Sequence, residues 1–273
     1  MDKFEMDSNK DLRHLQNILL LIIGEIDELC KKHNITYYLN GGNALGAVRH
    51  NGFIPWDDDF DIMMHTKDYQ KLIEVCRSQL DPEKWYIQEA WVDWPGCFSK
   101  IRLKGTYLED VGEWKEIDFD NRGIYIDIFE IVNAPSSKFL KYIQYFAAKL
   151  LNAHSLLRKG YETRSFLKKT AIFFSKALNN KKIFTLAKSL VYRYSGKDTR
   201  EVANFYGMSR FKNAFYRKEI FSTPSYHKFE GVELPLPTDY HQYLRQSFGD
   251  YMKLPPVEEQ KPAHSTKVDF GKY

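Results

Sequence analysis

The sequence predicts an α+β fold, a mixed β-sheet flanked by helices with a basic helical insert, and three observations carry that prediction. Helix-period and strand-like segments alternate through the first half, the chain turns basic and strand-poor beyond Pro135, and mixed patterning resumes from Phe205. These changes suggest a core at 1–135, a basic helical subdomain at 136–203, and a C-terminal part at 204–273 that packs back on the core. With 273 residues, 43% hydrophobic and 15% aromatic, the chain can bury a sizeable core and lies in the globular range rather than the disordered one.

Leu12, Leu15, Ile18, Leu19, Ile22, Ile26 and Leu29 keep the three-and-four spacing of an amphipathic helix over 12–32. The run Ile35 to Asn40 has strand composition and ends at Gly41-Gly42, where the backbone is free to turn. A short helix from Ala44 to His50 follows. Gly52-Phe53-Ile54-Pro55 then leads into a second strand over about Asp58 to Met64, with Pro55 tolerated because it precedes the strand. A helix is predicted over 67–80 and strands at 85–90, 98–103 and 124–129, interrupted by an acidic, aromatic loop around Glu113-Trp114-Lys115-Glu116. In the insert, Leu167, Ala171, Phe174 and Leu178, then Ile183, Ala187, Leu190 and Tyr194, return to helical spacing.

The net charge of +4 conceals an asymmetry: from Lys138 to Arg200 there are 15 Lys or Arg against Glu162 and Asp198, a local balance of +13, which leaves −9 for the remainder. A basic helical segment with aromatic and aliphatic faces, such as Phe166 to Tyr194, suggests peripheral docking on an anionic membrane surface through 138–200. A plain solvated helical face is the alternative. No nucleic-acid module accompanies the charge, so nucleic acid is not expected as a partner. Cys30, Cys76 and Cys97 are isolated, suggesting neither a zinc site nor a disulfide framework. Neither a signal peptide nor a membrane-spanning segment is expected, and a reducing cytoplasm is the simplest setting, with a peripheral place on the inner face of the cell membrane as the second option.

The chemistry concentrates in Asp57-Asp58-Asp59-Phe60-Asp61. If the run is a strand, alternation puts Asp57, Asp59 and Asp61 on one face and Asp58 on the other, with neighbouring carboxylates about 6.7 Å apart at the backbone. Asp59 and Asp61 could then lean onto one hard cation, with Asp57 farther along. The bland alternative is a solvated turn, but the flanking Ile54-Pro55-Trp56 and Ile62-Met63-Met64 are core-forming. Gly41-Gly42-Asn43 opens a helix suited to phosphate oxygens, with Arg49 and His50 near in sequence, unless it is only a tight turn. Asp127 interrupts the apolar run Tyr125-Ile126-Asp127-Ile128-Phe129 and needs a cation, donors or water; it reads as a third metal ligand or a general base, or else as a loop cap. Lys100, Arg102 and Lys104 fall on one face of a strand, either to meet a diphosphate or as a solvated face.

Gly41-Gly42, Asp59-Phe60-Asp61 and the later Asp127 resemble the glycine-turn, D-h-D and third-acid signature of the nucleotidyltransferase superfamily. The longer string from Leu39 to Ile62 resembles the LicD family, relatives of fukutin and the fukutin-related protein. The likeness continues through Lys100-Ile101-Arg102, Gly123 to Phe129, Phe229-Glu230-Gly231, Tyr243-Leu244 and Phe248 to Met252. Family members have Thr or Ser in place of Asn43 and Tyr in place of Phe248.

The resemblance implies a nucleotidyltransferase-like fold and transfer of a phosphorylated alcohol, phosphocholine or ribitol phosphate, from a CDP-linked donor to a hydroxyl of a surface glycan; a membrane-docked basic segment would suit a lipid-linked acceptor. Mg²⁺ or Mn²⁺ would sit on Asp59, Asp61 and Asp127, with Lys100 and Arg102 against the departing CMP. Trp85, Trp91, Trp94 and Trp114 are candidates for a cage around a quaternary ammonium. Two other readings stay open: transfer of a nucleotide itself to a small molecule, and a non-catalytic glycan-binding relative.

Overall fold

The apolar stripe of the first helix is what the sheet is built on: Leu15, Leu19, Ile22, Ile23 and Ile26 are completely buried. Each such side chain contributes about 2 kcal/mol relative to exposure. Asp11 in the first turn and Lys31 and Lys32 in the last complement the helix dipole. The computed structural model describes residues 4–5, 9–110, 117–161, 163–206, 209–262 and 265–273, so Trp114 and Glu162 lie outside the described residues.

Among the described residues the elements run β1 (Phe4–Glu5), α1 (Asn9–Lys32), β2 (Tyr38–Leu39), α2 (Gly41–His50), β3 (Asp61–His65) and α3 (Thr66–Gln79). Next come β4 (Trp85–Gln88), β5 (Ser99–Leu103), β6 (Tyr107–Asp110) and β7 (Ile124–Ala134). The basic segment holds α4 (Lys138–Arg158), α5 (Phe166–Ser175) and α6 (Lys181–Val191). The remainder is β8 (Glu201–Ala203), α7 (Phe211–Ala214), β9 (Phe215–Arg217), β10 (Ser225–Phe229), β11 (Val232–Leu236), α8 (Tyr240–Phe248) and β12 (Ser265–Asp269).

The main sheet has the order β2-β3-β7-β5-β4, with β8 on β7 and β9 on β8. Only β3 and β7 run parallel; the other pairings are antiparallel, so the sheet is mixed as the sequence predicts. β7 is its axis because its residues other than Asp127 and Asn133 are buried, as befits a near-continuous apolar strand covered on both faces. α1 and α3 pack against β7. The hairpin β10–β11 and α8 pack back against β2 and α2, and β8, at the end of the basic segment, joins the sheet.

The strand expected over 35–40 is reduced to Tyr38–Leu39, and after an extended Asn40 the helix starts at Gly41 (φ +50°) rather than Ala44. The strand expected from Asp58 starts at Asp61. β7 outruns its expected end at Phe129 because β8 supplies a partner for Val132 to Ala134.

Among the ties between the basic segment and the sheet is a buried amide: Gln144 Nε2 on α4 donates to Asn133 O on β7 (2.9 Å) and to Val191 O on α6 (2.7 Å). Beside it Glu130 is buried and accepts a hydrogen bond from Tyr192 Oη at 2.5 Å. Burial raises its pKa to about 7, against the lowering effect of that hydrogen bond. A carboxyl whose folded pKa is raised favours the native state below its unfolded pKa, and that contribution is lost as pH rises through about 7. Glu130→Gln is therefore expected to gain stability over the parent chain between pH 5 and 8, on the order of 3 kcal/mol. Urea unfolding at both pH values measures this, and a constant difference would refute it.

Candidate active site

Asp57 and Asp59 lie in a loop before β3, so strand alternation does not align them as expected. β2 is too short to pair with this loop, and buried side-chain amides take up its main-chain groups instead. Asn43 Nδ2 donates to Asp59 O (3.3 Å), and Asn43 Oδ1 accepts from Asp61 N (2.6 Å). Gln16 Nε2, from α1, donates to Asp57 O (3.0 Å). Asn43 is wholly buried and Gln16 nearly so.

The loop nevertheless gathers the carboxylates against the glycines. A Cβ at Gly42 would lie 2.7 Å from Asp57 Oδ2, and one at Gly41 3.5 Å from Asp61 Oδ2. Gly41 also holds φ +50°, in the left-handed region that favours glycine. Gly41 and Gly42 thus make room for carboxylates. Asp58 is buried.

Sheet register supplies the rest. Asp61 pairs with Asp127 across β3 and β7, and Asp127 pairs with Lys100 across β7 and β5, so the three side chains form a row on one face. Lys100 Nζ donates to Asp127 Oδ1 at 2.7 Å, and both side chains are largely buried. Burial, then the charges of Asp59, Asp127 and Asp57, push the Asp61 carboxyl well above the usual range, against the opposing pull of Lys100. Asp57 is pushed up by burial and by Asp59 and Asp58. Asp57, Asp59, Asp61 and Asp127 therefore share one electrostatic environment.

The cations anticipated for a diphosphate are otherwise engaged. Lys100 Nζ lies 3.4 Å from the Tyr125 ring centroid, 5.2 Å from that of Phe98 and 5.5 Å from that of Trp94, so aromatic faces already surround an ammonium beside Asp127. Arg102 is buried, bonding Gln88 Oε1 (2.9 Å) and Gly123 O (3.2 Å), with its guanidinium over Tyr125. Lys104 falls beyond β5 and donates to Pro82 O, so the face carries two cations rather than three. Arg49 and His50 sit at the far end of α2, about 12 Å along the axis from Gly41. There Arg49 Nε donates to His50 Nε2 (3.0 Å) and Nη1 to Tyr251 O (3.0 Å). Of the candidate cage residues, Trp85 is a buried core residue and Trp91 meets Phe184, whereas Trp94 reaches the Lys100 group.

Three residues to which the sequence assigns no site role prove to position the site. Gln16 was hidden in a helix that read as core-facing only. Asn40 N donates to Asp61 O (3.0 Å), while its Oδ1 accepts from Tyr243 Oη (2.7 Å). That same hydroxyl accepts from Gly41 N (3.0 Å), so α8 fixes the glycine turn from 203 residues away. The sequence marks Tyr243 only within the Tyr243-Leu244 likeness, and no spacing ties it to the glycine turn.

Among the described residues no three acidic, histidine or cysteine side chains are already gathered as a ready metal cage. The donor chemistry still fits a hard divalent ion: four neighbouring carboxylates, with Asp57 Oδ2 buried and without a hydrogen-bond partner.

Residues 34–148, which hold α2, β3, β5 and β7 with these carboxylates, match the nucleotidyltransferase domain described as LicD/FKTN/FKRP. The chain thus carries a segment, 34–148, that matches the LicD-family domain. It is 29% identical to the lipopolysaccharide cholinephosphotransferase LicD of Haemophilus influenzae over 267 residues, covering 93% of this chain and 96% of that one. It is 26% identical to the human ribitol 5-phosphate transferase FKRP over 106 residues, 38% of this chain and 20% of that protein. A Rickettsia prowazekii protein is 50% identical over 51 residues, 18% of this chain and 19% of its own.

Asn43→Ala leaves the Asp61 N–H and Asp59 carbonyl without their partner in a buried setting. It is expected to cost about 2–3 kcal/mol in urea unfolding, and an unchanged midpoint would show that the acidic loop holds its form without the amide.

Proposed function

We propose that the chain is a phosphotransferase that moves a phosphorylated alcohol, phosphocholine in the first instance, from a CDP-linked donor to a hydroxyl of a cell-surface glycan. The observation that carries this reading is the row of Asp61, Asp127 and Lys100 beside Asp57 and Asp59 at the start of α2. The end-to-end likeness to a cholinephosphotransferase supports phosphocholine, and the partial likeness to a ribitol 5-phosphate transferase supports the broader class.

A divalent ion, Mg²⁺ or Mn²⁺, held by Asp59, Asp61 and Asp127 with Asp57 adjoining, would neutralise the donor diphosphate. The start of α2 adds the positive end of a helix dipole on the same side. Lys100 holds Asp127 in position through their ion pair and offsets part of the negative charge around it. Asp127 or a neighbouring carboxylate takes the proton of the acceptor hydroxyl as its oxygen attacks the phosphorus bearing the alcohol. The bond from that phosphorus to the bridging oxygen breaks, and CMP leaves with the electron pair. Arg102 maintains the wall of the site by tying Gln88, Gly123 and Tyr125 together.

A panel of CDP-linked alcohols with Mg²⁺ or Mn²⁺ tests the donor: CMP release is expected from CDP-choline, whereas pyrophosphate release from a nucleoside triphosphate would identify nucleotidyl transfer instead. Asp59→Asn and Asp61→Asn are expected to abolish transfer while the far-ultraviolet circular dichroism is kept. A second readout is independent of turnover. Mg²⁺ at one hundred times its Kd is expected to stabilise the parent chain by about 2.7 kcal/mol and to leave Asp61→Asn unmoved. Equal stabilisation of both chains would refute the metal assignment.

A further inference from the structure

The insert presents apolar side chains to solvent in rows. On α4, Phe139, Tyr142 and Phe146 are 71%, 49% and 68% exposed at helical spacing, and on α6 Ile183 and Leu186 continue the pattern. The two rows border a groove of about 480 Å³ whose lining includes Tyr142, Phe146, Leu150, Ile183, Leu186 and Leu190. On α5, Phe166, Leu167, Phe173 and Phe174 are each more than 60% exposed, and spacing of seven puts Phe166 with Phe173 and Leu167 with Phe174. Soluble domains seldom leave so much aromatic and aliphatic surface uncovered unless something binds there.

Charge decides what the occupant is. The segment that bears these rows carries the +13 balance, and Lys168, Lys169, Lys176, Lys181 and Lys182 are exposed among the apolar residues. Lys176 Nζ lies 5.6 Å from the Phe173 ring centroid and Lys168 Nζ 5.6 Å from that of Tyr161, so cationic heads stand beside apolar rings. A second copy of the chain docked through this face would bring two strongly positive segments together. An anionic lipid surface answers both features, taking apolar side chains among its acyl chains and ammonium groups at its headgroups. No described helix is long and apolar enough to cross a membrane, so the contact would lie in the plane of the interface.

We propose that α4, α5 and α6 form a peripheral docking surface for anionic membranes. The inference goes beyond the transfer reaction and stands on the insert alone, so it holds or fails whatever the donor proves to be. In flotation assays the full chain is expected to rise with phosphatidylcholine vesicles containing phosphatidylglycerol and to stay behind with phosphatidylcholine alone. Phe166→Ser/Leu167→Ser/Phe173→Ser/Phe174→Ser and, separately, Lys168→Glu/Lys169→Glu/Lys182→Glu should each lower the bound fraction at least tenfold. Circular dichroism checks that each variant is folded, and the Lys variant serves if the apolar one does not fold. The proposal is overturned if the parent chain ignores anionic vesicles, binds neutral ones equally, or is matched by the folded variants. It is also overturned if sedimentation shows a dimer that the serine variant dissolves, which would make the face an interface between copies.

Discussion

Mutual repulsion among carboxylates is the constraint to which the rest of this structure answers. Asp57, Asp59, Asp61 and Asp127 oppose one another's ionisation, and burial raises the cost, as the upward displacement of Asp57 and Asp61 records. Such a group stays assembled only where its backbone is held independently. Asn43 and Gln16 hold the loop, β7 holds Asp61 in register with Asp127, and Tyr243 with Asn40 holds the glycine turn. Lys100 is a cation set directly against the row, and its aromatic surroundings leave Asp127 as its ion-pair partner.

These ties come from distant parts of the chain, which gives the C-terminal region a purpose in the site without a residue in its chemistry. Tyr243 enters from α8, and the turn between β10 and β11 braces the approach to the acidic loop. There Glu230 accepts from Phe53 N (3.2 Å) and pairs with Arg13 of α1 (2.6 Å). Phe229 packs edge-on against both Phe53 and Phe60, so the ring between Asp59 and Asp61 is anchored in an aromatic cluster. The acids and their apolar neighbours face different surroundings, and that separation aims the carboxylates.

The insert follows another logic. It is joined to the sheet through ties that include Gln144, yet its outer rows stay largely exposed, with Tyr142 stacked on Phe211 of α7. The core concentrates negative charge in one place, while the insert spreads positive charge over a surface.

Much of this was legible in sequence because it rests on local periodicity and composition. The stripe from Leu12 to Leu29, the apolar run around Asp127, the charge reversal at Lys138 and the grouping of Gly41-Gly42 with Asp59-Phe60-Asp61 each follow from spacing along the chain. What spacing misjudged were partners. Arg49 and His50 are near Gly41 in sequence, but a helix carries them to its other end. Asp57 and Asp59 share a neighbourhood with Asp61 through amide ties rather than strand alternation, and Lys100 and Arg102 have their hydrogen bonds inside the sheet. Sequence alone determined which residues bear charge and which segments can bury an apolar face, since both are properties of a residue and its near neighbours. Tertiary structure decided which acids meet, which cation answers them and which hydroxyl steadies the turn, because those depend on strand register and on contacts from as far away as Tyr243.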